Sequence, residues 1–145
     1  MTQVTFYLLE NHPLSPEQFA CRLIDKAWRN GLPMHIHTAD EHSCQYMDQL
    51  LWSWRECSFL PHGTISDPHQ QYPITLGFSQ PALEQKRLLI NLSSQVPDFF
   101  RDFARVCEVV VEDQKAISRA KFRAYRQAGT EPEVHPMKGL SPRSN

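Results

Sequence analysis

Short apolar runs alternate with stretches of helical period along most of this chain. Val4 to Leu9 is β-branched and aromatic, as a central strand requires. Ser15, Pro16 and Gln18 then supply an N-cap, a proline at the first helical position and a capping-box partner. Phe19, Leu23, Ala27 and Trp28 recur at helical spacing, and Gly31 is placed to end that helix. Met34-His35-Ile36-His37 alternates like a short strand. Asp40 can cap a second helix with Cys44, Met47, Leu50 and Leu51 on its buried face.

From Trp52 to Pro73 the period is lost and prolines appear, which predicts a long ordered loop. Ile74 to Phe78 and Arg87 to Leu92 are the next strands. Ser93-Ser94 and Pro97-Asp98 open an expected helix carrying Phe99, Phe100, Phe103 and Ala104. Val106 to Val111 is the last expected strand. Glu112 and Asp113 then begin a helix that stops before Gly129. Residues 129–145 hold three prolines and no apolar period, so they read as a floppy tail behind one domain spanning 1–128. Strands alternating with helices predict a single-domain α/β layer fold with a mostly parallel sheet.

The chain has 145 residues, enough for one domain with a hydrophobic core. Its 15 basic and 16 acidic residues give a formal net charge of −1, so a wholly cationic, DNA-coating surface is excluded. Cys21, Cys44, Cys57 and Cys107 form no C-x-x-C, and no basic leader or run of about 20 apolar residues is present. The expectation is a cytoplasmic protein with reduced thiols.

An α/β chain invites a nucleotide-binding reading, but the first strand-to-helix turn, Glu10 to Ser15, has no glycine. The five glycines fit neither G-x-G-x-x-G nor Walker A spacing, so close backbone approach to a pyrophosphate is unsupported. His35 and His37 share a strand face and could ligate a metal with Asp40 or His42. The plainer account is two polar residues on the less buried side of an edge strand. Cys57 with His62 could form a nucleophile pair, yet no local signature accompanies them, and buried structural cysteines are commoner. A small ligand-binding domain or enzyme using His35, His37 or Cys57 is the alternative function.

Two features rise above background. Trp52, Trp54 and Phe59 crowd into a segment with no amphipathic face to bury them. They either cap the core beneath a loop or form an aromatic docking patch. On the last helix, Lys115, Arg119, Phe122, Arg123 and Arg126 fall on one stripe, with Ile117, Ala120, Ala124 and Tyr125 assigned to the sheet. A cationic stripe is by default a solvated face. With Phe122 among the cations it can also receive an acidic peptide ending in an apolar side chain and a free carboxylate.

The order and spacing of several segments resemble one family. These are Thr5-Phe6-Tyr7-Leu8-Leu9, Leu51-Trp52, Ser58-Phe59-Leu60-Pro61-His62, Leu89-Ile90-Asn91-Leu92 and Phe122-Arg123-Ala124-Tyr125-Arg126 with Gly129. Together, over residues 4–129, the chain is similar to the chi subunit of the bacterial DNA polymerase III clamp loader. The resemblance implies a Rossmann-like three-layer fold without bound nucleotide or other cofactor. It also implies a non-catalytic role, joining the psi subunit to the acidic C-terminal tail of single-stranded DNA-binding protein. Trp52 and Phe59, with Trp54 beside them, match positions the family turns toward psi. Lys115, Arg119, Phe122, Arg123 and Arg126 match its tail-binding helix, with Val110 on the adjoining strand. Phe122 stands where the family commonly carries tyrosine, which keeps the ring and removes a hydroxyl.

Overall fold

The apolar run at the amino end forms β1 (Gln3–Glu10) in the computed structural model of this chain. The structure describes residues 2–54, 73–79 and 87–138 in full, and of 62–64 the backbone. After β1 come α1 (Pro16–Arg29), β2 (Met34–His37), α2 (Glu41–Ser53), β3 (His62–Thr64) and β4 (Ile74–Gly77). The chain continues through β5 (Leu88–Asn91), β6 (Arg105–Val111), α3 (Lys115–Gln127) and β7 (Glu133–Lys138). Every pairing among these strands is parallel, in the spatial order β3-β4-β2-β5-β6-β1-β7.

Strand order dictates the layers. The steps from β1 to β2 to β3, through α1 and α2, run toward one edge of the sheet, whereas β6 to β7, through α3, runs toward the other. Right-handed crossovers in opposite directions put their helices on opposite faces. The core divides accordingly. Ile24 of α1 and Met47 and Leu51 of α2 pack on Met34, Ile36, Ile90 and Cys107. On the other face Tyr125 of α3, with Phe100 and Phe103, packs on Val4, Phe6, Leu89, Val106 and Val110.

Local chemistry sets the helix ends. Gln18 donates its N–H to Ser15 Oγ at 3.2 Å, and Ser15 N–H returns to Gln18 Oε1 at 3.0 Å, completing the expected capping box. Asp40 caps α2 by accepting Ser43 N–H at 2.8 Å. Gly129, at φ +95°, turns the chain out of α3, and the N–H and hydroxyl of Thr130 close on the Tyr125 carbonyl.

Several expectations need correction. Residues 129–145 do not form a tail throughout, because Glu133–Lys138 extends the sheet along β1. Its side chains are exposed apart from half-buried Met137, so no apolar pattern marks it; unpaired backbone groups on the β1 edge hold it instead. The helix expected around Phe99 is a single 3-10 turn, Phe100–Asp102. Its rings are pulled two ways, Phe100 and Phe103 toward Tyr125 and Phe99 over His37. The expected loop from Trp52 contains the end of α2 and the whole of β3. His35 and His37 are not on an edge strand: β2 lies between β4 and β5, and His35 is wholly buried. Among the described residues no helix is long and apolar enough to cross a membrane.

Candidate functional site

α3 carries most of the candidate site, and its orientation follows from what lies beneath it. On β6, Val106, Glu108 and Val110 point toward α3, while Val109 and Val111 face α1 with Leu9 and Phe19. Of Val109, Val110 and Val111, therefore, Val110 alone adjoins the α3 stripe. Glu108 is completely buried, an acid in an otherwise apolar strand interior. Lys121 of α3, 5% exposed, answers it with Nζ 2.8 Å from Glu108 Oε1 and 2.6 Å from the Ser93 carbonyl oxygen. The other carboxylate oxygen accepts the Tyr125 hydroxyl at 2.6 Å and the Asn91 amide at 2.7 Å. Burial pushes the Glu108 carboxyl above its ordinary range, against the pull of Lys121, Asn91 and Tyr125.

With Lys121 and Tyr125 turned inward, Lys115, Arg119, Arg123 and Arg126 are all exposed. Helical geometry spreads them with Phe122 over an arc of about 100°. Phe122 sits at the margin of that arc, half-buried, its ring centroid 5.6 Å from that of Phe6. Its inner edge belongs to the cluster containing Val110 and its outer edge lies beside the cations. Among the described residues none of these four cations makes an ion pair. Arg101 donates Nη2–H to the Ala128 carbonyl at 2.7 Å and steadies the carboxyl end of the helix.

The assignment of Ile117 and Ala120 to the sheet fails. Both are exposed, because the polar face bearing Lys121 and Tyr125 is the one that packs. Neither Lys121 nor Glu108 follows from apolar spacing. The available signal was the charge itself, since an acid inside a parallel strand covered on both faces needs a buried partner.

Across the sheet, Trp52 near the end of α2 is 56% exposed. Trp54, two residues on, is half-buried against the core, so the two rings do not form one patch. Phe59 and Cys57 lie outside the described residues.

His35 and His37 share the α3 side of the sheet, their rings 6.5 Å apart and that of Phe99 5.2 Å from His37. His35 Nδ1 lies 2.8 Å from Thr75 Oγ1. Among the described residues no cluster of three or more His, Cys, Asp and Glu is arranged to hold a metal. Burial pushes the Cys107 thiol up to about 11, which keeps it protonated and unreactive.

His37 is held below the ordinary imidazole range by burial, and so is His12, with Arg22 adding to the effect there. The unfolded chain then binds more protons than the native one once pH falls below the ordinary value of 6.5. Their contribution is present above that value and is lost on acidification. Urea midpoints measured between about pH 7.5 and 5.5 are expected to fall with pH, and His37→Gln to flatten the slope. An unchanged slope in that variant would refute the assignment to His37.

Comparison with known proteins bears on what this geometry serves. The family model described as "DNA polymerase III chi subunit, HolC" matches residues 1–133. The DNA polymerase III subunit chi of Pseudomonas aeruginosa is 40% identical over 132 residues, covering 89% of this chain and 92% of that protein. The chi subunit of Haemophilus influenzae is 33% identical over 126 residues, covering 84% and 86%. That of Escherichia coli is 32% identical over 138 residues, covering 89% and 94%.

Proposed function

The chain belongs to the DNA polymerase III chi subunit family, with an accessory role in DNA replication, and from that premise we propose how it works. It is a non-catalytic subunit that joins psi, and through psi the clamp loader, to the acidic C-terminal tail of single-stranded DNA-binding protein. DNA is engaged indirectly, by way of that protein. The observation that carries this reading is the stripe on α3: four exposed cations, without ion-pair partners among the described residues, flanking a half-buried phenylalanine.

Each part has a physical task. Lys115, Arg119, Arg123 and Arg126 steer an acidic peptide toward the helix. The open edge of Phe122, with Val110 beneath, offers apolar contact to a terminal aromatic ring, while an arginine takes the carboxylate. Trp52, with Trp54 and Phe59 following it in the chain, serves psi from the other side of the sheet, burying apolar area in a lasting heterodimer. The tail contact can be weak, because coated DNA displays many tails and raises their effective concentration.

The test is fluorescence anisotropy of a labelled acidic peptide ending in phenylalanine, titrated at low and moderate salt. Binding is expected to weaken with salt. Arg119→Ala is expected to cost about 1.5–3 kcal/mol, roughly 10–150-fold in affinity. Trp52→Ala is expected to leave the peptide affinity unchanged and to weaken capture of psi instead. Equal peptide binding by Arg119→Ala and the parent would remove α3 from the tail site.

A further inference from the structure

α3 leaves part of its own face of the sheet uncovered. It lies over β1 and β6, whereas the carboxyl ends of β2, β4 and β5 open into a cleft of about 520 Å³. His37, Phe78, Ser79, Ser94, Asp98 and Phe99 are among its lining residues. This edge of a parallel sheet is where such folds hold small ligands, and the volume lies within the usual range for them.

The lining limits the chemistry of an occupant. Phe78, Phe99 and His37 present ring surfaces, and Phe78 is 46% exposed. Ser79 and Ser94 add hydroxyls able to donate or accept. His37 Nδ1 is buried and meets no hydrogen-bond partner among the described residues. Among the described lining residues the charged group is the Asp98 carboxylate, and none is a lysine or arginine. A phosphate would meet a like charge with no neutralising cation among the described lining residues. The nearby start of α2 does not help, since Asp40 already takes the Ser43 N–H there.

One wall is built in advance. Asn91 donates to the Gln95 carbonyl at 2.9 Å, and Ser93 Oγ–H lies 2.7 Å from Asn91 Oδ1 and 2.9 Å from the same carbonyl. Lys121 holds the Ser93 carbonyl from behind. A wall fixed before binding loses little freedom when a ligand arrives.

We propose that this cleft binds a neutral planar heterocycle with a hydrogen-bonding edge, a nucleobase carried as an unphosphorylated nucleoside. The site is separate from the α3 stripe and does not depend on how the tail or psi is bound. The experiment is amide NMR on the full chain, titrated with the four deoxynucleosides and, in parallel, with their 5′-monophosphates. Saturable shifts at His37, Ser79 and Ser94 are expected for at least one nucleoside, with the matching monophosphate about tenfold weaker or worse. Ser94→Trp, which places a large ring in the cleft from an exposed position, is expected to abolish them. Should that variant not fold, Phe78→Ala at the exposed mouth is expected to weaken them. The proposal is overturned by an absence of saturable shifts with every nucleoside. Monophosphates binding as well as nucleosides, or shifts surviving in the folded variant, would overturn it too.

Discussion

Lys121→Met is expected to lower stability by about 3–5 kcal/mol, the cost of leaving a buried charge without its partner. Methionine keeps the length and apolar character of the lysine stem, so the packing of α3 on the sheet changes little. What is lost is the ammonium between Glu108 Oε1 and the Ser93 carbonyl. Glu108, at 0% exposure, then keeps the Tyr125 hydroxyl and the Asn91 amide but no countercharge. It can take up a proton or remain a charge in a medium of low polarity. The sign of the pH response follows. Burial already raises the Glu108 carboxyl, and removing the cation raises it further. A carboxyl raised in the native state favours folding below its unfolded value, and that advantage is lost as pH climbs through the native value. The variant should therefore be least stable relative to the parent near neutral pH and recover on mild acidification. Adding Glu108→Gln to Lys121→Met should restore much of the loss, because a neutral amide replaces the stranded carboxylate. Urea unfolding across pH measures all three chains. A loss for Lys121→Met below about 1 kcal/mol at neutral pH would mean that the pair contributes like a surface bridge.

A comparable loss, about 3–5 kcal/mol, is expected for Phe103→Ala. Phe103 is 1% exposed and belongs to the cluster that joins Val4, Phe6, Val106 and Tyr125. Its ring centroid lies 6.2 Å from that of Phe99, which in turn covers His37. Truncation removes apolar area and opens a void that rigid strand neighbours cannot fill, so the transfer and cavity costs add. The damage should spread in one direction. Amide exchange is expected to speed up along β5 and β6 and around Phe99, more than along α1 or α2 on the opposite face. Phe122→Ala is expected to cost less, since its ring is only half-buried. If Phe103→Ala proved no more harmful than Phe122→Ala, the cluster under α3 would not be the rigid core described.

The parts of this fold legible in the sequence are those whose side chains carry the pattern. α1 declared itself through Ser15, Pro16 and Gln18, and β1 and β6 through apolar runs that both faces of a parallel sheet bury. β7 was hidden because backbone pairing, not side-chain burial, holds it, and Pro136 argues against a strand in any local reading. Apolar spacing rightly turned Tyr125 of α3 toward the sheet but wrongly added Ile117 and Ala120. Ile117 looked like a core residue and is exposed, while Lys121, which apolar spacing gives no reason to bury, is buried. A helix that packs on a strand carrying Glu108 chooses its inner face by charge and hydrogen bonding as well as by apolarity. The cationic stripe was nevertheless readable, because exposed residues are spaced by helical geometry alone. Where Phe122 sits on that stripe was not, since its half-buried position depends on Phe6 across the layer.

The seventh strand changes where this chain can safely be cut or extended. Shortening it at Gly129, the boundary that composition suggests, would strip β7 from β1 and leave the N–H and C=O groups of Thr5 to Glu10 facing solvent. A bare parallel edge of that length is a template for any other extended segment, in a neighbouring copy or a fused partner. The trimmed protein would be expected to keep its helices and yet precipitate on concentration. An affinity tag placed after Lys138 would leave that edge covered.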